Sequence, residues 1–194
     1  MNTMRAVVKY ADKAGATVVI IGPGPIGILS VKLAQLSGAG EIVVVGTDGD
    51  DNRLKLAKEF GATTIINSSK EDPLKRILSF GDGYGADLVV DFAGSSSTLK
   101  LCMDAVRPAG QITKIGWGPQ PVNFSLDPLI SKSVTFKGHF SHTWDVWEKC
   151  LTLMGKGMID LEKIVTHELG IDQWEKGFEL LEAREAVKVV LKPI

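Results

Sequence analysis

The residues best suited to chemistry stand early in the chain, at Gly22-Pro23-Gly24-Pro25-Ile26-Gly27. Three glycines in G-x-G-x-x-G spacing suit a loop that cradles a pyrophosphate. Gly22 permits a tight turn, Gly24 lets the backbone approach the phosphates, and Gly27 lets a helix pack closely on a strand. Pro25 and Ile26 fall in the first turn of that helix, where unpaired N–H groups and a partial positive charge favour anions. The spacing alone has low specificity, and a glycine-rich turn that binds nothing is the competing reading. The flanks favour the binding loop. A β-branched run, Thr17 to Ile21, precedes it, and Ile26, Leu29, Leu33 and Leu36 follow at helical spacing.

A dinucleotide fold that uses NAD places an acid about 20 residues further on, where it holds the ribose hydroxyls. The residue 19 beyond Gly27 (46 − 27 = 19) is Gly46, followed by Thr47-Asp48-Gly49-Asp50-Asp51-Asn52-Arg53. A glycine at the strand end leaves room for a 2′-phosphate, with Thr47 and Arg53 as contacts. Asp48, Asp50 and Asp51 would repel one. NAD and NADP both stay open, with the acids tilting the balance slightly toward NAD.

The elements that must position these residues repeat one pattern: a β-branched run, a glycine, then a helical period. Strands are expected at Thr17 to Ile21, Glu41 to Val45, Thr64 to Ile66, Ala86 to Phe92, Gln111 to Ile115 and Val134 to Lys137. The first two are apolar on both faces, which suits parallel strands covered by helices on both sides. Helices are expected after Gly24, from Arg53 to Phe60, after Asp72-Pro73, from Ser97 to Val106, from Trp144 to Met154 and from Gln173 to Glu182. Asp72 is a cap and Pro73 a first helical residue. Val165 to Leu169 and Val187 to Leu191 read as closing strands. The fold class is therefore α/β: a doubly wound, parallel six-stranded Rossmann sheet with helices on both faces and short terminal strands.

Composition excludes several other classes. Lys and Arg total 22 against 23 Asp and Glu, a net charge of −1, so no basic surface for nucleic acid is expected. Hydrophobic residues make up 44%, enough for a core. No stretch approaches the roughly 18 apolar residues of a membrane helix. The two cysteines, Cys102 and Cys150, lack CxxC partners, so neither a disulfide framework nor a cysteine zinc knuckle is expected. The expectation is a cytoplasmic protein with no nucleic-acid or membrane partner.

From Ala16 to Ile194 the chain resembles the zinc-type medium-chain dehydrogenase/reductase family, nearest its sorbitol and threonine dehydrogenase branch. The glycine loop carries the resemblance together with Arg53-Leu54-Lys55-Leu56-Ala57-Lys58-Glu59-Phe60-Gly61-Ala62 and Gly85-Ala86-Asp87-Leu88-Val89-Val90-Asp91. Arg107-Pro108-Ala109-Gly110-Gln111, Val165-Thr166-His167 and Lys188-Val189-Val190-Leu191-Lys192-Pro193 extend it to the end. The resemblance implies an NAD(P)-dependent oxidoreductase acting on a small alcohol or polyol. It implies that Gly116 and Trp117 line a nicotinamide pocket. His139, Phe140 and Ser141 match a segment whose backbone meets the nicotinamide amide, and Lys188 matches a basic position reaching the pyrophosphate. An ordinary strand-edge charge at Lys188 and simple packing at Trp117 are the alternatives.

The family also implies a zinc domain with a cysteine and a Gly-His-Glu motif. This chain has only His139, His142 and His167, no Gly-His-Glu, and no cysteine before the glycine loop. No zinc ligand and no catalytic residue is therefore expected, and the chain alone is expected to be inactive. Residues 1–13, through Met4 to Tyr10, resemble the first strand of that domain. Residues 14–165 form the dinucleotide-binding part and 166–194 a helix and strand returning toward the zinc domain. The chain reads as though that domain had been excised. Two function classes stay open: the cofactor domain of a dehydrogenase, and a dinucleotide-binding module without turnover. A methyltransferase would also use a glycine loop, but the family-like tail from Val165 to Pro193 argues against it. Val122 to Leu126 alternates apolar and polar residues and is expected to pair as an edge strand in a homodimer.

Overall fold

A computed structural model of the chain describes residues 14–193. The segment Met4 to Tyr10 lies outside these residues. The chain divides into two compact units, one running up to Val146 and the other starting at Trp147.

The first unit is a sheet of six strands: β1 (Thr17–Ile21), β2 (Glu41–Gly46), β3 (Thr64–Asn67), β4 (Ala86–Asp91), β5 (Val106–Lys114) and β6 (Thr135–Gly138). All pairings are parallel and the order is β3-β2-β1-β4-β5-β6. Helices α1 (Pro25–Leu36), α2 (Asp51–Glu59), α3 (Pro73–Ile77), α4 (Ser96–Ala105) and α5 (Asp127–Ser131) connect or follow the strands. Val18 to Ile21, Ile42 to Val45 and Leu88 to Val90 are buried, as double helical cover requires. Asp72 accepts the N–H groups of Leu74 and Lys75 at 2.9 and 3.2 Å, and so caps α3. Ser95 caps α4 through the Thr98 N–H at 3.1 Å. At the other end of α4, Lys132 Nζ donates to the carbonyls of Met103, Asp104 and Val106 at 2.9–3.0 Å. Burial of that ammonium lowers its pKa.

Two stretches differ from expectation. β5 starts five residues earlier than Gln111 and slips register against β4 between Ala86 and Leu88. The slip accommodates Pro108, which has no N–H to donate, and Ala109, whose φ is +57°. Val122 to Leu126 forms no strand within the chain. Phe124 turns inward against the core, while Val122 and Leu126 stay exposed.

The second unit contains most of α6 (Trp144–Gly155), then β7 (His167–Gly170), α7 (Trp174–Glu182) and β8 (Val189–Lys192). β7 and β8 form a separate parallel two-stranded sheet. The partner of β8 is thus β7. Gly177 lets α7 approach this sheet, since a Cβ there would lie 3.2 Å from Val189 Cγ1.

Candidate functional site

In the order β3-β2-β1-β4, chain connections leave β1 in opposite directions. Such a switch point opens a crevice at the carboxyl ends of the strands. A cleft of about 330 Å³ lies there, lined by Gly22 and Pro23, Gly46, Thr47 and Asp50, Ser68 and Pro73, and Ala93, Ser97 and Thr98.

The glycine loop forms one wall. Gly22 has φ +102°, a conformation that favours glycine, and its N–H donates to Val45 O at 2.9 Å. Gly27 is buried, and a Cβ on it would lie 2.1 Å from Gly22 O. Only glycine lets α1 start this close to β1. Gly24 is the N-cap of α1, and a Cβ there would meet nothing within 4 Å. That backbone therefore faces open space. Pro25 follows at the first helical position and Ile26 is half exposed. No side chain caps the first turn, and no acid stands in it. The N–H groups of Ile26 and Gly27 lie among the first four of the helix, which have no intrahelical acceptor. This arrangement fits an anion such as a pyrophosphate.

The opposite wall is the end of β2. A Cβ on Gly46 would lie 3.0 Å from Pro23 Cγ and 3.1 Å from Asp50 Cβ, so a side chain at the strand end would press on both. Asp50 takes up that space. It is buried, its Oδ2 accepts the Thr47 N–H at 3.1 Å, and its Oδ1 lies 3.5 Å from Arg53 Nη1. Asp48, in contrast, is exposed and does not line the cleft. Its Oδ1 accepts from Asn67 Nδ2 at 3.2 Å. Thr47 lines the cleft, and its Oγ1 lies 3.0 Å from Ser69 Oγ. Asp51 stands outside, and a hydrogen bond from Lys70 holds its carboxyl below the usual range. Of the three acids named from the sequence, the one that lines the cleft is Asp50. Its spacing of three from Arg53 at a helix start was the available signal.

The remaining candidate residues follow β5 and β6. Gly116 and Trp117 stand just past β5, and His139, Phe140 and Ser141 just past β6. The Trp117 and Phe140 rings are tilted to one another with centroids 5.6 Å apart, and both are about four-fifths exposed. Lys188 is exposed in the second unit, immediately before β8, where its carbonyl accepts the Thr166 N–H at 3.0 Å. Among the described residues no group of three His, Cys, Asp or Glu side chains is arranged to hold a metal ion. They do not fit a zinc site.

A parallel sheet with a glycine loop at its switch point defines the doubly wound dinucleotide-binding class of folds. A sequence profile described as zinc-binding dehydrogenase matches residues 25–156, more than half of the chain. The chain belongs to that family. It is 34% identical over 193 residues to a sorbitol dehydrogenase from Halalkalibacterium halodurans, covering 99% of this chain and 56% of that one. It is 36% identical over 180 residues to an L-threonine 3-dehydrogenase from Pyrococcus horikoshii, covering 91% and 51%. The solved structure of an alcohol dehydrogenase from Thermus sp. ATN1 matches with a TM-score of 0.91 at 30% identity, over 100% of this chain and 57% of that one. The chain spans about half the length of the curated relatives it matches.

Among the described residues no helix is long and apolar enough to cross a membrane.

Proposed function

We propose that the cleft binds NAD and that the chain serves as the cofactor domain of an oxidoreductase acting on a small alcohol or polyol. The observation that carries this reading is the cleft itself, at the switch point, with an uncapped helix N-terminus on one wall and a buried carboxylate on the other. The pyrophosphate would lie over Gly24, against the N–H groups of Ile26 and Gly27. Asp50, Thr47 and Arg53 border the place of the adenosine ribose. When bound, the cofactor supplies the hydride chemistry, and this domain supplies binding and orientation. Trp117 and Phe140 supply the surface for its nicotinamide end. Asp50, the acid on the cleft wall, disfavours the extra phosphate of NADP.

Calorimetry with NADH and NADPH tests this. NADH is expected to bind more tightly. Gly24→Val puts a side chain into the space above the loop and is expected to abolish binding. A variant that binds like the original chain would show the site to be elsewhere.

A second reading, a dinucleotide-binding module without turnover, is favoured by one observation: the described residues hold no three-ligand metal cluster. Metal analysis with an alcohol-dependent turnover assay separates the two. The same proposal includes a homodimer through Val122 to Leu126, supported by the exposure of Val122 and Leu126, 40% and 49%. Sedimentation at tens of micromolar should give a dimer, and Leu126→Lys a monomer that still binds NADH. A monomeric wild-type chain at that concentration removes the dimer from the proposal.

A further inference from the structure

Asp91 closes β4 and Lys114 closes β5, opposite one another in register. Asp91 is fully buried. Its Oδ1 accepts the N–H groups of Ala93 at 3.1 Å and Gly94 at 2.9 Å. Its Oδ2 lies 3.5 Å from Lys114 Nζ. Lys114 Nζ donates to Gly116 O at 2.7 Å and to Gly94 O at 3.4 Å. One ammonium therefore ties the loop after β4 to the loop after β5.

The backbones of these loops also meet directly. A Cβ on Gly94 would lie 2.6 Å from Gly116 C, one on Gly116 2.5 Å from Gly94 N, and one on Gly118 2.1 Å from Gly94 O. Contact this close has no side chain to absorb a displacement, so a small drift opens a gap and forfeits packing. The first loop carries Ala93, on the cleft wall. The second carries Trp117, which pairs with Phe140.

We propose that Lys114, anchored by Asp91, is a positioning residue that locks these two loops together, so that the Ala93 wall and the Trp117 shelf meet the dinucleotide as one preformed surface. The proposal rests on the dinucleotide reading of the cleft. Lys114 Nζ donates to the Gly94 and Gly116 carbonyls and so acts through the two loop backbones. Its value lies in preorganisation: loops ordered before binding do not have to be ordered by the ligand. The Asp91 carbonyl also accepts the Ile115 and Gly116 N–H groups at 2.9 Å, which joins the bases of the two loops. The carboxylate's own bonds to Ala93 and Gly94 stay within the first loop, so Lys114 is the side chain that adds the tie to Gly94 O and Gly116 O. A buried carboxylate without a cation is also costly.

The test uses the full chain labelled with 5-fluorotryptophan, with NADH as ligand. Lys114→Met leaves Asp91 buried without its cation, so the decisive variant is the double Asp91→Asn, Lys114→Met. Asparagine still accepts the Ala93 and Gly94 N–H groups, and no buried charge is left over. The double variant is expected to keep a cooperative melt, to bind NADH about tenfold more weakly, and to shift or broaden the fluorine signal of Trp117, assigned with Trp117→Phe. The signal of Trp174, on α7, should stay in place. Lys114→Arg keeps a cation with donors for both carbonyls and should restore most of the affinity and the Trp117 signal. A double variant with NADH affinity within about twofold of wild type and an unmoved Trp117 signal overturns the role of Lys114. A wild-type chain that binds no NADH overturns the proposed function along with it.

Discussion

Val18 to Ile21 of β1 are buried, as are Ile42 to Gly46 of β2, whereas no residue of β7 or β8 is fully buried. β8 carries β-branched residues as β1 and β2 do, whereas β7 reads His-Glu-Leu-Gly. Cover differs as well. β1 has a strand on each side and helices over both faces, so all of its apolar surface leaves water. β7 and β8 have only each other as partners, and α7 keeps Trp174 and Phe178 at least half exposed. Two strands alone are marginal in water. The first unit carries the large core cluster, and in the second Ile164, Gly177, Ala186 and Val187 are buried. Strand-forming sequence is therefore not enough to make a stable strand; its neighbours decide how much each residue contributes.

Truncating one residue from each sheet puts that contrast at greatest risk. Ile20→Ala, at a fully buried position, is expected to cost about 2–5 kcal/mol in a denaturant titration. Val190→Ala, at a half-buried one, is expected to cost about 1 kcal/mol or less, since only part of the side chain leaves water. Equal losses would break the distinction between the two sheets.

A smaller effect comes from charge at the other end of the first sheet. Arg107 Nη2 donates to Asp82 at 2.7 Å, and Nη1 lies 3.4 Å from Asp87, whose Oδ2 accepts the Thr17 N–H. The Tyr84 backbone N–H, and after it Arg107, hold the Asp82 carboxyl below its usual value of 3.8. A depressed carboxyl stabilises the fold above its unfolded pKa, and that contribution is lost as pH falls through the folded value. Acid unfolding should thus lose a small share of its steepness below about pH 4 in Asp82→Asn. The side chain is exposed, so the shift should be slight and should shrink with added salt. An unchanged acid profile would remove Asp82 from the first unit's electrostatics.

Much of this was legible in the sequence because it depends on local signals. β-Branched runs gave β1, β2 and β4 to within a residue, Asp72-Pro73 marked its helix start, and the glycine spacing placed the loop at the end of β1. Residue pattern says less where tertiary contacts set a position. Val122, Phe124 and Leu126 alternate like a strand, and within the chain Phe124 packs against the core. Asp48 stands nearest the expected register, and Asp50 is the acid that lines the cleft, beside Arg53 and close to Gly46; neither neighbour shows in a residue count. The tie between Lys114 and Asp91 was equally hidden, because it links residues 23 positions apart.

The strand order has a further consequence during synthesis. β1 pairs with β4 across a separation of 70 residues, Val18 opposite Leu88 (88 − 18 = 70). At a translation rate of about 5–20 residues per second, the second edge of β1 waits about 4–14 s for its partner. In the last part of that interval, once β3 has been made, the nascent chain is a three-stranded half-sheet with β1 at its border. A chaperone that engages this chain on the ribosome should therefore release it once β4 has emerged.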